Sequence, residues 1–95
     1  VLPYCQDAMI TRSIENRVFT ATANRIGTEV IKGKQPLTFT GKSQVIDPGG
    51  KRLGNLSENE DSVLVVEINP EEALNKMITP YNDVLKDRNP SVYQL

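Results

Sequence analysis

Residues 12–27 read RSIENRVFTATANRIG, and the change of periodicity inside them decides the fold. Arg12, Ser13, Ile14, Glu15, Asn16 and Arg17 follow helical spacing, with Arg12 and Glu15 three apart on one face. From Val18 the residues turn β-branched and aromatic, interleaved with small ones. Val18, Thr20 and Thr22 point one way along a strand, and Phe19, Ala21 and Ala23 the other. The small alanine face implies that another layer comes close. Gly27 closes the unit with a residue free to take a positive φ. A helix that runs without a break into a strand predicts an α/β fold.

Upstream, residues 1–16 predict a helix after a short lead-in. Pro3 suits its first turn, and Cys5, Met9, Ile10, Ser13 and Ile14 fall on one stripe. Downstream, residues 18–24 predict a strand, and residues 28–37, with Gly33, Pro36 and three charges, a loop. Residues 39–46 alternate as a strand, Phe39, Gly41, Ser43 and Val45 against Thr40, Lys42, Gln44 and Ile46. Asp47-Pro48-Gly49-Gly50 predicts a tight turn, with Pro48 presetting φ and Gly49 taking the positive φ of a type II turn. Residues 52–56 form the returning arm, antiparallel to 39–46, and residues 57–61 a polar acidic connection. The apolar run Val63, Leu64, Val65, Val66 predicts a strand buried on both faces. Asn69 as cap, Pro70 at the first position and Glu72 three residues after the cap predict a helix that stops near Pro80. Ala73, Leu74, Met77 and Ile78 are its buried stripe. Residues 81–95 read as an extended tail.

Ninety-five residues form at most one small domain, and a hydrophobic share of 38% with 24% charged residues is that of a soluble globular protein. A net charge of −1 gives no electrostatic case for nucleic acid or an anionic membrane as partner. No apolar run is long enough to span a bilayer, and no charged-then-apolar leader opens the chain. The start at Val1, directly before a helix-like segment, is what a cleaved, split or partly resolved chain would show, although methionine removal produces it too. One cysteine forbids an internal disulfide and a multi-cysteine zinc site, and makes a reducing, cytoplasmic setting the expectation. The absence of histidine removes Ser–His and Cys–His nucleophile pairs and every histidine-based metal site. No cofactor is implied.

The blocks R-S-I-E-N-R-V-F from Arg12, A-N-R-I-G-T-E from Ala23, F-T-G-K-S from Phe39 and D-P-G-G from Asp47 stand in an order and spacing that resemble the C-terminal part of the nitrilase, or carbon–nitrogen hydrolase, superfamily. The ending D-R-N-P-S-V-Y from Asp87 is similar to that family's ending as well. The resemblance implies the C-terminal portion of a four-layer αββα sandwich, with mostly antiparallel strands in this segment. Residues 1–86 would be the end of the hydrolase domain (helix, strand, hairpin, strand, helix) and residues 87–95 its extended tail. It implies an enzyme that cleaves C–N bonds other than peptide bonds in a small-molecule amide, carbamoyl compound or nitrile. The family's cysteine nucleophile, glutamate base and lysine lie upstream of the matching stretch, so this chain on its own is expected to be inactive. Its partners would be the remainder of the same protein and further copies in a homo-oligomer, with Pro90 keeping the tail extended and Tyr93 and Leu95 anchoring it on a neighbouring subunit.

No residue of the chain itself reads as catalytic or metal-binding. Cys5 begins a helix, but its neighbours Tyr4, Gln6 and Asp7 offer no cation to stabilise a thiolate, so a half-buried structural cysteine is expected. Gly41-Lys42-Ser43 mimics the end of a phosphate loop, yet Pro36 stands where the motif needs glycine and a strand follows the serine; Gly41 is read as small because something packs over it. Glu58, Glu60 and Asp61 read as a solvated loop, and Lys32, Lys34, Lys42, Lys51 and Arg52 as scattered surface cations, mostly facing solvent. Asn55-Leu56-Ser57 matches a glycosylation sequon without a leader to make it meaningful. Arg12, Glu15, Asn16, Asn24, Arg25 and Tyr93 are the structural or interface candidates; Glu15 has Arg12 beside it, and Asn24 and Arg25 end a strand, where loops often line a pocket. The competing reading is a small β-rich interaction module with no catalytic role.

Overall fold

In a computed structural model that describes residues 4–93, the helix-to-strand stretch is continuous but tighter than its sequence suggests. Helix α1 spans Cys5–Asn16, with Asp7 in its first turn where a carboxylate favours the exposed amides. It ends because Arg17 takes the left-handed conformation (φ 54°, ψ 52°), letting the Arg17 and Val18 amides donate to the Ile14 and Ser13 carbonyls. The predicted 18–24 strand pairs only over β1, Thr20–Thr22. Pro3 and Leu95, given roles above, lie outside the described residues.

β1, β4 (Gln44–Ile46) and β5 (Arg52–Asn55) make one antiparallel sheet in the order β1-β4-β5. The register sets Thr22 against Gln44, Ala21 against Val45 and Thr20 against Ile46, while Val45 faces Gly54 on the other side. α1 packs on the face carrying Thr20, Gln44 and Ile46: the Ser13 hydroxyl lies 2.7 Å from that of Thr20, and Gln44 Nε2 donates to the Gln6 carbonyl at 2.7 Å. Ile46 and Ser13 are fully out of water at this seam, and Ile46 is the large apolar side chain so buried among the described residues. The opposite face, with Ala21 and Val45, carries no helix among the described residues; Leu64 lies over Gly54, where an added Cβ would stand 2.9 Å from Leu64 Cδ1, and borders the same depression as Ala21 and Val45.

The β4–β5 hairpin forms as predicted, with a different turn. Gly50 N–H donates to the Asp47 carbonyl at 3.0 Å, and Asp47 Oδ1 accepts from Gly49 and Lys51 amides at 2.9 and 2.8 Å. Gly50, not Gly49, carries the positive φ (+90°), so a type II turn is excluded, and a register shift follows at Val45/Ile46.

Five other expectations are corrected. Residues 28–37 are not a plain loop: β2 (Thr28–Glu29) and β3 (Leu37–Thr38) pair as a ribbon whose tip turns at Gly33, φ +82°. The strand expected over 39–46 is cut to its last three residues, because Gly41 and Lys42 both adopt positive φ (61° and 57°) and reverse the alternation. Residues 62–68 join no sheet, and Val63 and Val65 are 87% and 89% exposed. The helix expected from Asn69 to Pro80 is a short 3-10 helix, Pro70–Leu74. Asn69 caps it, accepting from the Glu71 amide at 3.2 Å, but so short a helix with no buried residue has no face to hold a longer one in place. Met77 and Ile78 lie instead in β6 (Met77–Thr79), which pairs with β7 (Asn82–Asp83). The tail is thus partly folded, and a second 3-10 turn, Pro90–Val92, follows. The chain is mixed α/β with antiparallel strands. Among the described residues no helix is long and apolar enough to cross a membrane.

Candidate functional site

Where β1 ends, the two left-handed residues Gly41 and Lys42 swing the backbone so that the Gly41 carbonyl faces both α1 and Asn24. Asn24 Nδ2 donates to it at 3.1 Å and to Thr40 Oγ1 at 2.7 Å, while Gln6 Nε2 donates to the same carbonyl at 3.3 Å. The Asn24 amide donates to Ser43 Oγ at 2.8 Å, closing the node. A side chain at 41 would crowd its neighbours, since a Cβ would stand 3.0 Å from the Glu58 Cα, the Glu58 carbonyl oxygen and Ile26 Cγ2. Arg25 leaves this node outward, its guanidinium 4.2 Å from the centre of the Phe39 ring and 3.4 Å from Glu29. The node borders a shallow depression of about 590 Å³ on the open sheet face, reaching from Ala21 and Ala23 past Ser43 to Glu60 and Leu64.

On the helix side of the sheet runs a second polar line. Arg52 Nε donates to Gln44 Oε1 at 3.0 Å, and its Nη2 pairs with Asp7. Gln44, 3% exposed, thereby bridges Arg52 and the Gln6 carbonyl. Lys42 pairs with Glu58 at 3.1 Å beside it. Lys42 and Arg52 face solvent, as expected, and each also holds a carboxylate.

A third group was not foreseen. Arg17 donates through Nη1 to the Pro48 carbonyl at 3.2 Å and through Nε to the Asn75 carbonyl at 3.3 Å. Lys76 Nζ donates to the Asn16 and Arg17 carbonyls at 3.1 and 2.9 Å, placing a cation at the negative end of α1.

The candidates from sequence fall in three places. Arg12 and Glu15 form an exposed ion pair at 3.2 Å, and Asn16 Nδ2 donates to the Arg12 carbonyl at 2.9 Å, all on α1. Asn24 and Arg25 stand together at the rim of the depression. Tyr93 is half exposed beyond the second 3-10 turn. The structure does not bring these three groups together. Gln6 and Gln44 were missed; helical spacing through Gln6, Met9 and Ser13 carries the clue for Gln6, whereas Gln44 alternates correctly only once the 39–46 strand is broken at Lys42. Arg17 and Lys76 left no local pattern, because they are 59 residues apart.

Chemically, these groups are donors and acceptors that satisfy one another, and no buried side-chain polar atom lacks a partner among the described residues. Cys5 is exposed rather than half-buried, because the helix stripe facing the sheet is centred on Gln6 and Ser13. No group of three Cys, Asp or Glu side chains suited to a metal ion occurs among the described residues. Asp83, at the β7 end, is held ionised below the usual carboxylate range by the amides of Lys86 and Leu85 that it accepts.

The sequence matches the family model for carbon-nitrogen hydrolase over residues 3–74. It is 41% identical over 93 residues to a protein of Pyrococcus abyssi named nitrilase, covering 98% of this chain and 34% of that protein. It is 30% identical over 95 residues to a probable nitrilase of Schizosaccharomyces pombe, covering 97% of this chain and 33% of that protein. The chain thus spans about a third of the length of the curated relatives it matches. With a family model matching most of its length, the chain belongs to the carbon-nitrogen hydrolase family.

Proposed function

We propose that this chain acts as the C-terminal part of a hydrolase that cleaves C–N bonds other than peptide bonds, in a small-molecule amide, carbamoyl compound or nitrile. The observation that carries the reading is the family match running through nearly all of a chain that equals only a third of its relatives. The chemistry belongs to a Cys-Glu-Lys site contributed from upstream of this stretch: a thiolate attacks the substrate carbon, the nitrogen takes up a proton and leaves as amine or ammonia (for a nitrile, after one water has added to the thioimidate), and a further water cleaves the resulting thioester to release the acid and the thiol. This chain's own part is architectural. α1 and the β1-β4-β5 sheet supply two layers of a four-layer αββα sandwich. The uncovered face of Ala21, Ala23 and Val45 is the seat for the second sheet, close packing being possible because two of the three side chains are alanines. Arg12, Glu15 and Asn16 on α1, Asn24 and Arg25 at the sheet end, and Tyr93 in the 87–95 tail serve packing and subunit contacts.

Two assays on purified protein test this. The 95 residues alone should turn over none of a panel of amides, carbamoyl compounds and nitriles. A chimera joining the upstream two thirds of the Pyrococcus abyssi relative to this chain should hydrolyse at least one. Turnover by the chain alone that vanishes in Cys5→Ala would overturn the assignment of chemistry to upstream residues; a folded but inert chimera would overturn the architectural role.

A further inference from the structure

Residues 69–93 fold on themselves. β6 and β7 pair, Val84 N–H donates to the Lys76 carbonyl at 2.9 Å, and the Asp83 carboxylate accepts from the Leu85 and Lys86 amides. Little apolar surface ties this arm to the rest, for Leu74, Met77, Ile78, Tyr81, Leu85 and Val92 all remain exposed. Among the described residues, every hydrogen bond joining the arm to the preceding chain runs through Arg17 or Lys76. The exchange is reciprocal: Lys76 donates to the carbonyls of Asn16 and Arg17, and Arg17 donates back to the carbonyl of Asn75, next to Lys76. Arg17 also holds Pro48, so the same side chain fixes the hairpin turn against the end of α1.

We infer that residues 69–93 are a detachable arm, latched to the α1–sheet unit by the Arg17–Lys76 exchange, whose position is set by the positive charge at residue 76. Cation-to-carbonyl bonds supply the hold that apolar burial supplies elsewhere. Removing the Lys76 cation leaves one bond, from Arg17 to the Asn75 carbonyl, to hold the arm, whereas removing the Arg17 side chain leaves both Lys76 bonds in place, so the latch depends chiefly on Lys76. The arm keeps its own fold when released, because none of its internal bonds involves the core. Opening also uncovers the carbonyls at the end of α1.

Nuclear magnetic resonance on the 95-residue chain and on Lys76→Met and Lys76→Arg, each at a dilution where sedimentation shows the monomer, tests the latch. In Lys76→Met, which loses both charged hydrogen bonds from Lys76, the water exchange of the Arg17 Nε proton should rise at least about tenfold. Residues 77–83 should then tumble independently of α1 while the Val84 amide stays protected. Lys76→Arg should resemble the unaltered chain. An unchanged Arg17 Nε exchange with one shared tumbling time in Lys76→Met overturns the inference. So does loss of α1 amide protection in both Lys76→Met and the neutral but polar Lys76→Gln, because a detachable arm leaves the core standing.

Discussion

Gly41 is constrained twice, by its left-handed backbone (φ +61°) and by the Glu58 backbone lying 3.0 Å from any Cβ placed there. Gly27 shares the first constraint (φ +91°) but faces open space. Gly27→Ala should therefore cost about 1 kcal/mol, from backbone strain alone. Gly41→Ala should cost roughly 3 kcal/mol, since backbone atoms cannot swing aside as a side chain can. Urea denaturation of the two variants checks the ordering, and equal losses would refute the steric argument. Asp83 offers a second residue-scale test. Its folded-state pKa is depressed by backbone hydrogen bonds, so its contribution is complete above the ordinary carboxylate value and disappears as pH falls through the lowered one. Amide exchange at Leu85 and Lys86 should stay slow through the normal carboxylate range and accelerate only below it. In Asp83→Asn that acid-dependent step should vanish.

At the scale of elements, the helix-to-strand junction and the Asp47–Gly50 hairpin were legible because their information is local. Periodicity changes at Val18, and Pro-Gly-Gly enforces a turn. The breaks within 39–46 were not legible, because a positive φ at Lys42 has no sequence mark; it is stabilised by what Gly41 and its carbonyl meet in space. The 62–68 run and the short 3-10 helix fail for a related reason. Both carry local signals, a continuous Val-rich run and an Asn-Pro cap, but neither has a surface in this chain to pack on. The candidate site divides the same way: Arg12 with Glu15 could be read from spacing, whereas the Gln6–Gln44–Arg52 line depends on how α1 crosses β4. That line gives an element-scale prediction. Gln44→Leu removes the bonds from Gln44 to the Gln6 carbonyl and from Arg52 to Gln44, and should cost about 1 kcal/mol, because the helix still engages the Gln6 carbonyl and water reaches Arg52. Arg12→Ala, which breaks an exposed pair, should cost under about 0.5 kcal/mol. Thermal unfolding of both variants decides whether the buried line or the surface pair holds α1.

For the whole molecule the decisive quantities are shape and surface. The chain measures 54 × 36 × 18 Å with a radius of gyration of 17.7 Å, whereas a compact chain of this length has about 12 Å. Its accessible surface is 7609 Å², against roughly 5,500 Å² for a folded monomer of its mass. The excess, about 2,000 Å², is the size of a permanent rather than a transient interface. It is also apolar in the right places: Val63 and Val65 stand in water, and no helix among the described residues covers the Ala21–Val45 face. The chain on its own should therefore bind a hydrophobic dye and self-associate in equilibrium sedimentation. Adding a polypeptide that supplies the second sheet should suppress both. Burying a Val63 or Val65 side chain is worth about 1.5–3 kcal/mol, so Val63→Lys with Val65→Lys should reduce dye binding and association in the isolated chain while weakening its complex with that polypeptide. A cooperatively unfolding monomer of these residues that binds no dye would defeat the view that this surface is made to be covered, and with it the proposed place of the chain in a larger sandwich.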